Sequence, residues 1–281
     1  MLYVVATPIG NLGDITQRAV EVLRGVDLIA AEDTRRCRQL LAHLGIARPV
    51  TAYHDHNEAQ RSAGLLRALR EGGSVALVSD AGTPLISDPG FRLVSEAREA
   101  GIRVVAVPGA CAAVAALSVA GLPTDRFVFE GFLPARRAAR QARLGELRAE
   151  TRTLVCYESP RRILETLRDV AQVFGGERPC TLARELTKLH ETLLGANVAE
   201  VLAAVESDPE QQLGEIVLLL GGAAERERGG DEVASLDTML AVLLEHLPLS
   251  EAVACVTRIS GRPRNEVYRA ALAVRPDPGA R

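Results

Sequence analysis

The first 122 residues alternate short apolar segments with longer amphipathic ones, and this alternation limits the fold more than any other feature of the chain. Apolar runs predict strands at residues 2–6, 28–31, 50–53, 75–79 and 103–107. Apolar residues recur at helical spacing in residues 15–24, 35–44, 58–71 and 91–100. Strands that are joined by helices run parallel, so we predict a parallel sheet covered on both faces, with ligand-binding loops at the carboxyl ends of the strands.

Short signals mark the helix ends in this half of the chain. Asp14 and Gln17 have the spacing of an N-cap residue and its capping-box partner. Gly45 and Gly101 stand where helix C-termini favour a left-handed residue. We therefore expect the first helix to begin directly after Asp14.

A second α/β region follows residues 121–126, which we interpret as the junction between two domains. Strands are predicted at residues 127–129, 153–157, 180–183, 191–194 and 216–220, and helices at residues 137–149, 161–173 and 198–206. Two of these strands lie close together near Lys188, so we expect a mixed sheet.

The C-terminal part of the chain has a different pattern. Residues 221–232 are charged and glycine-rich without an apolar period, which is typical of a linker. Short helices are predicted at residues 236–246, 250–259 and 264–273, and the last two resemble a helix-turn-helix. We expect α/β domains over 1–122 and 123–222, a linker over 223–235 and a small helical domain over 236–275.

Composition excludes several classes of protein. The chain has 281 residues, with 33 basic and 36 acidic side chains and a net charge of −3, so nucleic acid could be contacted only through local basic patches. The five cysteines are odd in number and form no Cys-x-x-Cys pair, which argues against a disulfide framework and a zinc site. The N-terminus lacks the basic start of a signal peptide, and no apolar run approaches the ~20 residues of a membrane span. We expect a cytoplasmic protein without a metal site.

Three loops at predicted strand ends could carry a ligand. Residues 7–14 match neither the Gly-x-Gly-x-x-Gly nor the P-loop pattern, which disfavours nucleotide phosphate binding of those kinds. Residues 79–90, SDAGTPLISDPG, exceed what a turn requires and offer backbone groups without a strong nucleophile. Residues 108–113 are small and leave room for a bound group. A tight turn is the alternative for the first loop, and an ordinary helix start for the third.

These loops, with the α/β alternation, resemble the tetrapyrrole-methylase (class III) family of S-adenosylmethionine-dependent methyltransferases. The resemblance covers residues 1–220 and rests on segments in the family's order: TPIGNLGDIT (7–16), AAEDTR (30–35), HDHNE (54–58), LVSDAGTPLISDPG (77–90), VPGACAA (107–113), GLPTDRF (121–127), EGFLPAR (130–136), YESPRR (157–162), ARELTK (183–188) and GE (214–215). It implies a homodimer of two-domain α/β subunits, in the branch that methylates the ribose 2′-oxygen of a cytidine in the decoding centre of 16S rRNA of the small ribosomal subunit.

The resemblance also implies that S-adenosylmethionine binds between the two domains. Carried over by position, its contacts are Pro8, Asp80, Ala81, Gly82, Thr83, Pro84, Leu85, Ser87, Gly109, Ala110, Ala112, Ala113, Tyr157, Glu158 and Leu186. A sulfonium methyl is already an activated electrophile, so the protein has chiefly to align it with the attacking oxygen and to exclude water.

A ribose hydroxyl is a weak acid, so a base or oriented polar groups must help to remove its proton. The candidates are His54, Asp55, His56, Glu32, Asp33 and Glu130. Ion pairs are the alternative for the carboxylates, with Arg35 or Arg36 near Glu32 and Asp33, and with other arginines near Glu130 and Glu158. Deprotonation assisted by the RNA itself stays open.

Two segments carry local positive charge. Residues 134–152 hold six Arg and two Glu, and residues 251–281 hold six Arg, two Glu and one Asp. From these segments we expect RNA contacts at Arg136, Arg137, Arg140, Arg262 and Arg264. A solvated helix face is the alternative for each segment. The aromatic side chains that could stack on a splayed base are Tyr53, Phe91, Phe132, Tyr157 and Tyr268.

Other functions compete with rRNA methylation. Methylation of a tetrapyrrole carbon would share the fold and the methyl-donor site, but it predicts a hydrophobic macrocycle cleft and no need for the basic helical tail. A non-catalytic nucleic-acid-binding protein would use residues 250–273 and leave the 79–90 loop idle. A dinucleotide oxidoreductase is disfavoured because the glycine fingerprint is missing.

Overall fold

The computed structural model describes residues 1–55, 57–223 and 236–274. The chain divides into two compact units, Met1–Gly222 and Ala223–Arg281. The first unit contains two five-stranded sheets, and the described part of the second unit contains three helices. Within the described ranges, no helix is long and apolar enough to cross a membrane.

The N-terminal sheet is parallel throughout, as the sequence predicts, with the strand order β3-β2-β4-β1-β5. Its elements are β1 (Leu2–Val5), α1 (Gln17–Gly25), β2 (Leu28–Ala31), α2 (Thr34–His43), β3 (Val50–Ala52), α3 (Glu58–Arg70), β4 (Val75–Val78), α4 (Phe91–Glu99), β5 (Val104–Val107) and α5 (Ala112–Val119). Apolar residues of α1 and α2 pack on one face, and those of α3 and α4 on the other. The central strand β4 is therefore buried on both sides, which explains its continuous apolar sequence.

The predicted start of the first helix is wrong. Asp14 ends a short 3-10 helix, Leu12–Asp14, and the N-cap of α1 is Thr16, whose hydroxyl accepts a hydrogen bond from the Ala19 amide at 3.1 Å. Thr16, two residues further along the chain, therefore caps the helix in place of Asp14. The left-handed residues at Gly45 and Gly101 are confirmed, with φ of +64° and +69°.

The second sheet is mixed, as predicted, with the strand order β6-β7-β10-β8-β9. Only β6 and β7 run parallel; the other neighbours are antiparallel. Its elements are β6 (Phe127–Phe132), α6 (Arg137–Glu146), β7 (Thr153–Glu158), α7 (Ile163–Phe174), β8 (Pro179–Arg184), β9 (Thr192–Asn197), α8 (Val198–Ser207) and β10 (Ile216–Leu220). Helix α5 covers one face through Ala113, Ala116 and Leu117, so the first half of the unit completes the core of the second.

The C-terminal unit has its own core. Helices α9 (Leu236–Leu244), α10 (Leu249–Ser260) and α11 (Arg264–Val274) bury Leu240, Val253, Val256, Val267 and Ala271. Gly261 ends α10 in the left-handed conformation, with φ of +65°. The three predicted helices are present, whereas the linker predicted over 223–235 lies, except for Ala223, outside the described residues.

Candidate active site

A cleft of about 340 Å³ opens at the carboxyl ends of β1, β4 and β5 and is closed on the other side by the second sheet. Ligand pockets in proteins are usually about 300–1,000 Å³, so a small organic molecule fits this space. Nine of the residues expected to contact a methyl donor line it: Asp80, Ala81, Gly82, Thr83, Ser87, Ala112, Tyr157, Glu158 and Leu186.

The long loop, residues 79–90, forms the floor of the cleft and is tied to the neighbouring strand ends. Thr7 and Gly82 exchange backbone hydrogen bonds of 2.9 and 3.1 Å. The Thr83 hydroxyl donates to the Ala110 carbonyl at 2.9 Å. At Gly82 the backbone has φ of +81°, and a Cβ there would lie 3.2 Å from Ile9 Cγ2, so glycine is required for this close approach.

Two non-glycine residues of the long loop have a left-handed backbone. Leu85 has φ of +74° and Ser87 has φ of +62°. Such conformations are unfavourable for residues with a Cβ and persist only where the surrounding structure enforces them, commonly at functional sites. Ser87 lines the cleft, so the enforced segment lies where a ligand would bind.

One end of the cleft is acidic. Glu32, Asp80 and Asp88, which we name the acidic end, line it together with Arg36. Asp80 is fixed by the Asp33 amide at 2.8 Å and by the Arg36 guanidinium at 3.3 Å. Burial, reinforced by the negative charge of Asp80, raises the pKa of Glu32. Burial and the charge of Glu32 raise the pKa of Asp88 to about 6, so this end holds less negative charge at low pH.

The opposite wall comes from β7. The Tyr157 hydroxyl accepts a hydrogen bond from the Ala113 amide at 3.2 Å, and burial raises the pKa of this phenol. Glu158 is buried and forms an ion pair with Arg162 at 3.1 Å, which is the alternative that the sequence offered for this residue. Its carboxylate also accepts a hydrogen bond from the Thr166 hydroxyl at 2.7 Å. This wall is therefore fixed by paired polar groups rather than by free charge.

Six of the expected methyl-donor contacts lie outside the lining of the cleft: Pro8, Pro84, Leu85, Gly109, Ala110 and Ala113. Ala110 and Ala113 bond to the lining residues Thr83 and Tyr157, and a Cβ at Gly109 would lie 2.9 Å from Ala6 Cβ. Ala110 and Ala113 therefore help to position the lining side chains of Thr83 and Tyr157.

The candidate bases are in different surroundings. Glu130 accepts three hydrogen bonds from Arg143 at 2.8–2.9 Å and its side chain is 9% exposed, so it forms the ion pair that the sequence offered as the alternative to a base. The His54 amide donates to Asn57 Oδ1 at 2.9 Å in the loop after β3. Asp55 lies close enough to Asp88 to raise the pKa of that carboxyl. His56 falls outside the described residues.

Asp33 and Glu32, the remaining acidic candidates, lie in different surroundings. Asp33 forms the ion pair with Arg35, at 3.1 Å, that the sequence offered as an alternative. Glu32 lines the cleft instead. Among the described residues no group of three His, Cys, Asp or Glu side chains could hold a metal ion.

Most arginines of the basic segment 134–152 form ion pairs within the fold. Arg140 is 1% exposed and bonds to Asp169 at 2.7 Å, so the expected RNA contact at Arg140 is wrong. Arg137 reaches the same carboxylate at 2.9 Å from an exposed position. Arg136 is exposed at the start of α6. In the helical unit, Arg264 is exposed and Arg262 pairs with Glu266 at 2.6 Å.

Sequence reasoning missed several lining residues. They include Ile86, Asp88, Glu215 and Val217. Ile86, Asp88 and Glu215 stand inside segments that the sequence singled out, so their position in the chain was a usable signal. Which side chain of a loop or strand end faces the cleft depends on local backbone conformation, and periodicity does not reveal it.

Comparison with known proteins decides the family. A family model described as tetrapyrrole (corrin/porphyrin) methylases matches residues 1–202. The chain belongs to the tetrapyrrole methylase family. A second model, described as the RsmI C-terminal HTH domain, matches residues 230–275. The family resemblance stated from the sequence is therefore confirmed.

Relatives within this family match nearly the whole chain. Ribosomal RNA small subunit methyltransferase I of Escherichia coli O157:H7 is 54% identical over 271 residues, covering 96% of this chain and 94% of the relative. The protein of the same name from Pseudomonas aeruginosa PAO1 is 52% identical over 275 residues, covering 96% of each.

Two solved structures have a similar fold. Diphthine synthase aligns with a TM-score of 0.59 at 15% identity, covering 78% of this chain and 89% of that one. Cobalt precorrin-4 methyltransferase aligns with a TM-score of 0.57 at 16% identity, covering 78% and 94%. These identities concern the fold alone. A methylase uses a methyl donor, and the cleft is the space in this fold that is lined by the expected contacts.

Proposed function

We propose that the chain is an rRNA methyltransferase that transfers a methyl group from S-adenosylmethionine to the ribose 2′-oxygen of a cytidine in the decoding centre of 16S rRNA. The observation that carries the proposal is the match, at 54% and 52% identity over nearly the whole chain, to relatives named ribosomal RNA small subunit methyltransferase I. The cleft supports it because its lining suits both partners of a methyl transfer.

The cleft fits S-adenosylmethionine in size and in charge. Its volume of about 340 Å³ is adequate for such a ligand. The carboxylates of the acidic end suit the cationic ammonium and sulfonium groups. Gly82 and Ala112 bring little side chain into the lining, which leaves room for an adenosine.

When it is bound, S-adenosylmethionine supplies a methyl group that the sulfonium already activates. The chain therefore needs to hold the ribose oxygen in line with that carbon, exclude water and accept one proton from the hydroxyl. The wall formed by Tyr157 and Glu158 suits the alignment of the ribose oxygen and the exclusion of water. The polar groups of this wall already have hydrogen-bond partners within the protein, so they do not need to rearrange.

We assign proton acceptance to the acidic end. Asp88 and Glu32 line the cleft, and the pKa of Asp88, raised to about 6, is near the range in which a general base works at neutral pH. Asp55 and His54, at the carboxyl end of the neighbouring strand β3, are proposed to support this end. Glu130 is not included because Arg143 occupies both its oxygens.

The remaining assignments concern partners. Exposed Arg136 and Arg137 of the first unit, and Arg262 and Arg264 of the helical unit, are proposed to contact rRNA phosphates. We also propose a homodimer that acts in the cytoplasm, and both statements rest on the family resemblance.

The proposal is tested by methyl transfer to small ribosomal subunits that lack the modification. Subunits are incubated with the protein and S-adenosylmethionine labelled at the methyl carbon, and the RNA is then digested and analysed by mass spectrometry. The expected result is one 2′-O-methylcytidine per subunit in the decoding centre. A parallel reaction with uroporphyrinogen represents the tetrapyrrole alternative. Label in the macrocycle, or no label in the RNA, would overturn the proposal.

A further inference from the structure

Strand β6 contains a bulge at the edge of the cleft. Phe129 pairs with Val155 and Gly131 pairs with the next residue, Cys156, so Glu130 is one residue too many for the register. Gly131 has φ of +62°. A bulge of this kind bends its strand and re-aims the side chains that follow, and bulges are common beside active sites.

The re-aimed side chain is Phe132. Its ring lines the cleft and is nevertheless 57% exposed, although a large apolar side chain is normally withdrawn from water. One edge rests on Tyr157, with the ring centres 5.7 Å apart and the planes at 65°. Phe129 packs on Tyr157 in the same manner at 5.0 Å and 75°. Phe132 is thus the outermost ring of a three-ring cluster.

The support of this ring is rigid. The next residue, Leu133, is buried, and its carbonyl accepts a hydrogen bond from Arg162 at 2.6 Å. The bulged residue Glu130 is gripped by Arg143. A Cβ on Gly131 would lie 3.0 Å from Ser87 Oγ, so the bulge also lies directly against the long loop. Phe132 is therefore held at a defined position beside the proposed methyl-donor site.

The other aromatic candidates are placed differently. Tyr53 is fully buried and its hydroxyl is bonded to Ser62. Tyr157 lines the cleft but is held between Phe129 and Phe132. Phe91, 76% exposed at the start of α4, does not line the cleft. Tyr268 belongs to the separate helical unit. Within the described part of the first unit, Phe132 combines exposure with a place in the cleft.

We propose that Phe132 is the platform on which the base of the target nucleotide stacks while its ribose is methylated. The inference rests on the proposed function, since it requires an RNA acceptor. Proteins that recognise a particular nucleotide of a folded RNA commonly stack its splayed base on an aromatic side chain. The ring then fixes the nucleotide beside the methyl-donor site and determines which RNA is accepted, without taking part in the chemistry.

The test compares Phe132→Ala, Phe132→Leu and Phe132→Trp with Phe91→Ala, which removes an even more exposed ring outside the cleft. Base stacking on an aromatic ring is typically worth enough for a roughly 10- to 100-fold effect. The Ala and Leu variants are expected to lose about that factor in kcat/KM for small subunits. Phe132→Trp, which keeps an aromatic face, and Phe91→Ala are expected to have the kcat/KM of the wild type. Affinity for S-adenosylmethionine, measured by calorimetry, is expected to stay within about twofold in all four.

Phe132→Leu also separates stacking from folding, because leucine still packs against Tyr157 but has no aromatic face. A Leu variant with wild-type kcat/KM overturns the inference. So does a parallel loss of methyl-donor affinity, which would make the ring part of the methyl-donor site. If the wild-type protein itself transfers no methyl group to the RNA, the proposed function fails, and this result is distinct from either outcome for the variants.

Discussion

The two halves of the first unit contribute opposite chemistry to one cleft. The N-terminal sheet supplies main-chain groups, glycine and the carboxylates Glu32, Asp80 and Asp88. The second sheet supplies a paired wall and the exposed ring of Phe132, close in sequence to an arginine-rich helix. The first chemistry suits a small cation, and the second suits a base and phosphates.

The contrast follows from sheet topology. In the parallel sheet, every strand delivers its carboxyl end to the same edge, so five loops converge there. In the mixed sheet, strand ends alternate, and the cleft receives only the end of β7, the bulged end of β6 and the segments beside β8 and β10. A binding floor is therefore built from loops and a binding wall from strand ends.

The largest expected effect is on stability, because some arginines of the second half form buried ion pairs instead of facing RNA. Asp169→Ala leaves Arg140 buried without its carboxylate, so we expect a loss of about 3–5 kcal/mol in the free energy of unfolding. The exposed pair of Arg168 and Glu206 is the control, and Glu206→Ala should cost at most about 1 kcal/mol. Denaturant titration measures both. Equal, small losses would contradict a structural role for the pair of Arg140 and Asp169.

The next effect tests the acidic end. Asp88→Asn should lower kcat/KM by about 100-fold at pH 7.5, since it removes the proposed proton acceptor. In the wild type, kcat/KM should rise with pH around the Asp88 pKa of about 6 and then level off. Asp237→Asn, in the helical unit, should leave the pH profile unchanged. A wild-type profile flat between pH 5 and 8 would remove Asp88 from the mechanism.

The same variant makes a prediction about stability. The pKa of Asp88 is higher in the folded chain than its ordinary value of 3.8, so the folded state binds this proton more tightly. Its contribution to stability is present below about pH 4 and is lost as the pH rises through about 6. We expect Asp88→Asn to raise the Tm by a few degrees at pH 8 and by much less at pH 4.5. A Tm gain that does not depend on pH would contradict this linkage.

A smaller effect distinguishes the floor of the cleft from ordinary turns. Gly82→Val places a branched side chain at positive φ against Ile9, and Gly45→Val places one at a similar φ with open space around it. Both should lose stability through backbone strain, about 1–2 kcal/mol or more. Only Gly82→Val should weaken S-adenosylmethionine binding, by about tenfold or more, in calorimetry. Equal affinity in the two variants would place the methyl donor away from this loop.

The smallest effect concerns phosphate contact. Arg136→Ala should reduce by about one the slope of log K against log salt for RNA binding, the change typical of one lost phosphate contact. Arg103→Ala removes an exposed arginine at the amino end of β5, on the opposite edge of the sheet, and should leave the slope unchanged. Filter binding at several salt concentrations measures it. Identical slopes would exclude Arg136 from the RNA surface.

Hydrophobic periodicity was sufficient for both sheets, because a strand buried on two faces, such as β4, must be continuously apolar. The long loop was also predictable, since its length and its glycines exceed what a turn requires. The choice between two possible N-cap residues was not predictable. Thr16 rather than Asp14 caps the first helix, because a cap depends on which side chain reaches the free amides.

Charged residues show a second limit. A run of arginines indicates positive charge, but not which side chains are neutralised by distant carboxylates, as Arg140 is by Asp169, 29 positions away. The ion pair of Glu130 was not predictable for the same reason, since its partner Arg143 lies on another element. Phe132 faces the cleft because of one extra residue in β6, and no periodic pattern encodes the direction of a bulge.

The central claim is that the long loop and the acidic end bind the methyl donor while the second sheet presents the acceptor nucleotide. A crystal structure of the protein saturated with S-adenosylmethionine tests it most directly. The account predicts electron density for the whole molecule in the cleft, with its methyl carbon open to the space between Asp88 and Phe132. Density at any other surface, with the cleft filled by water alone, would contradict it.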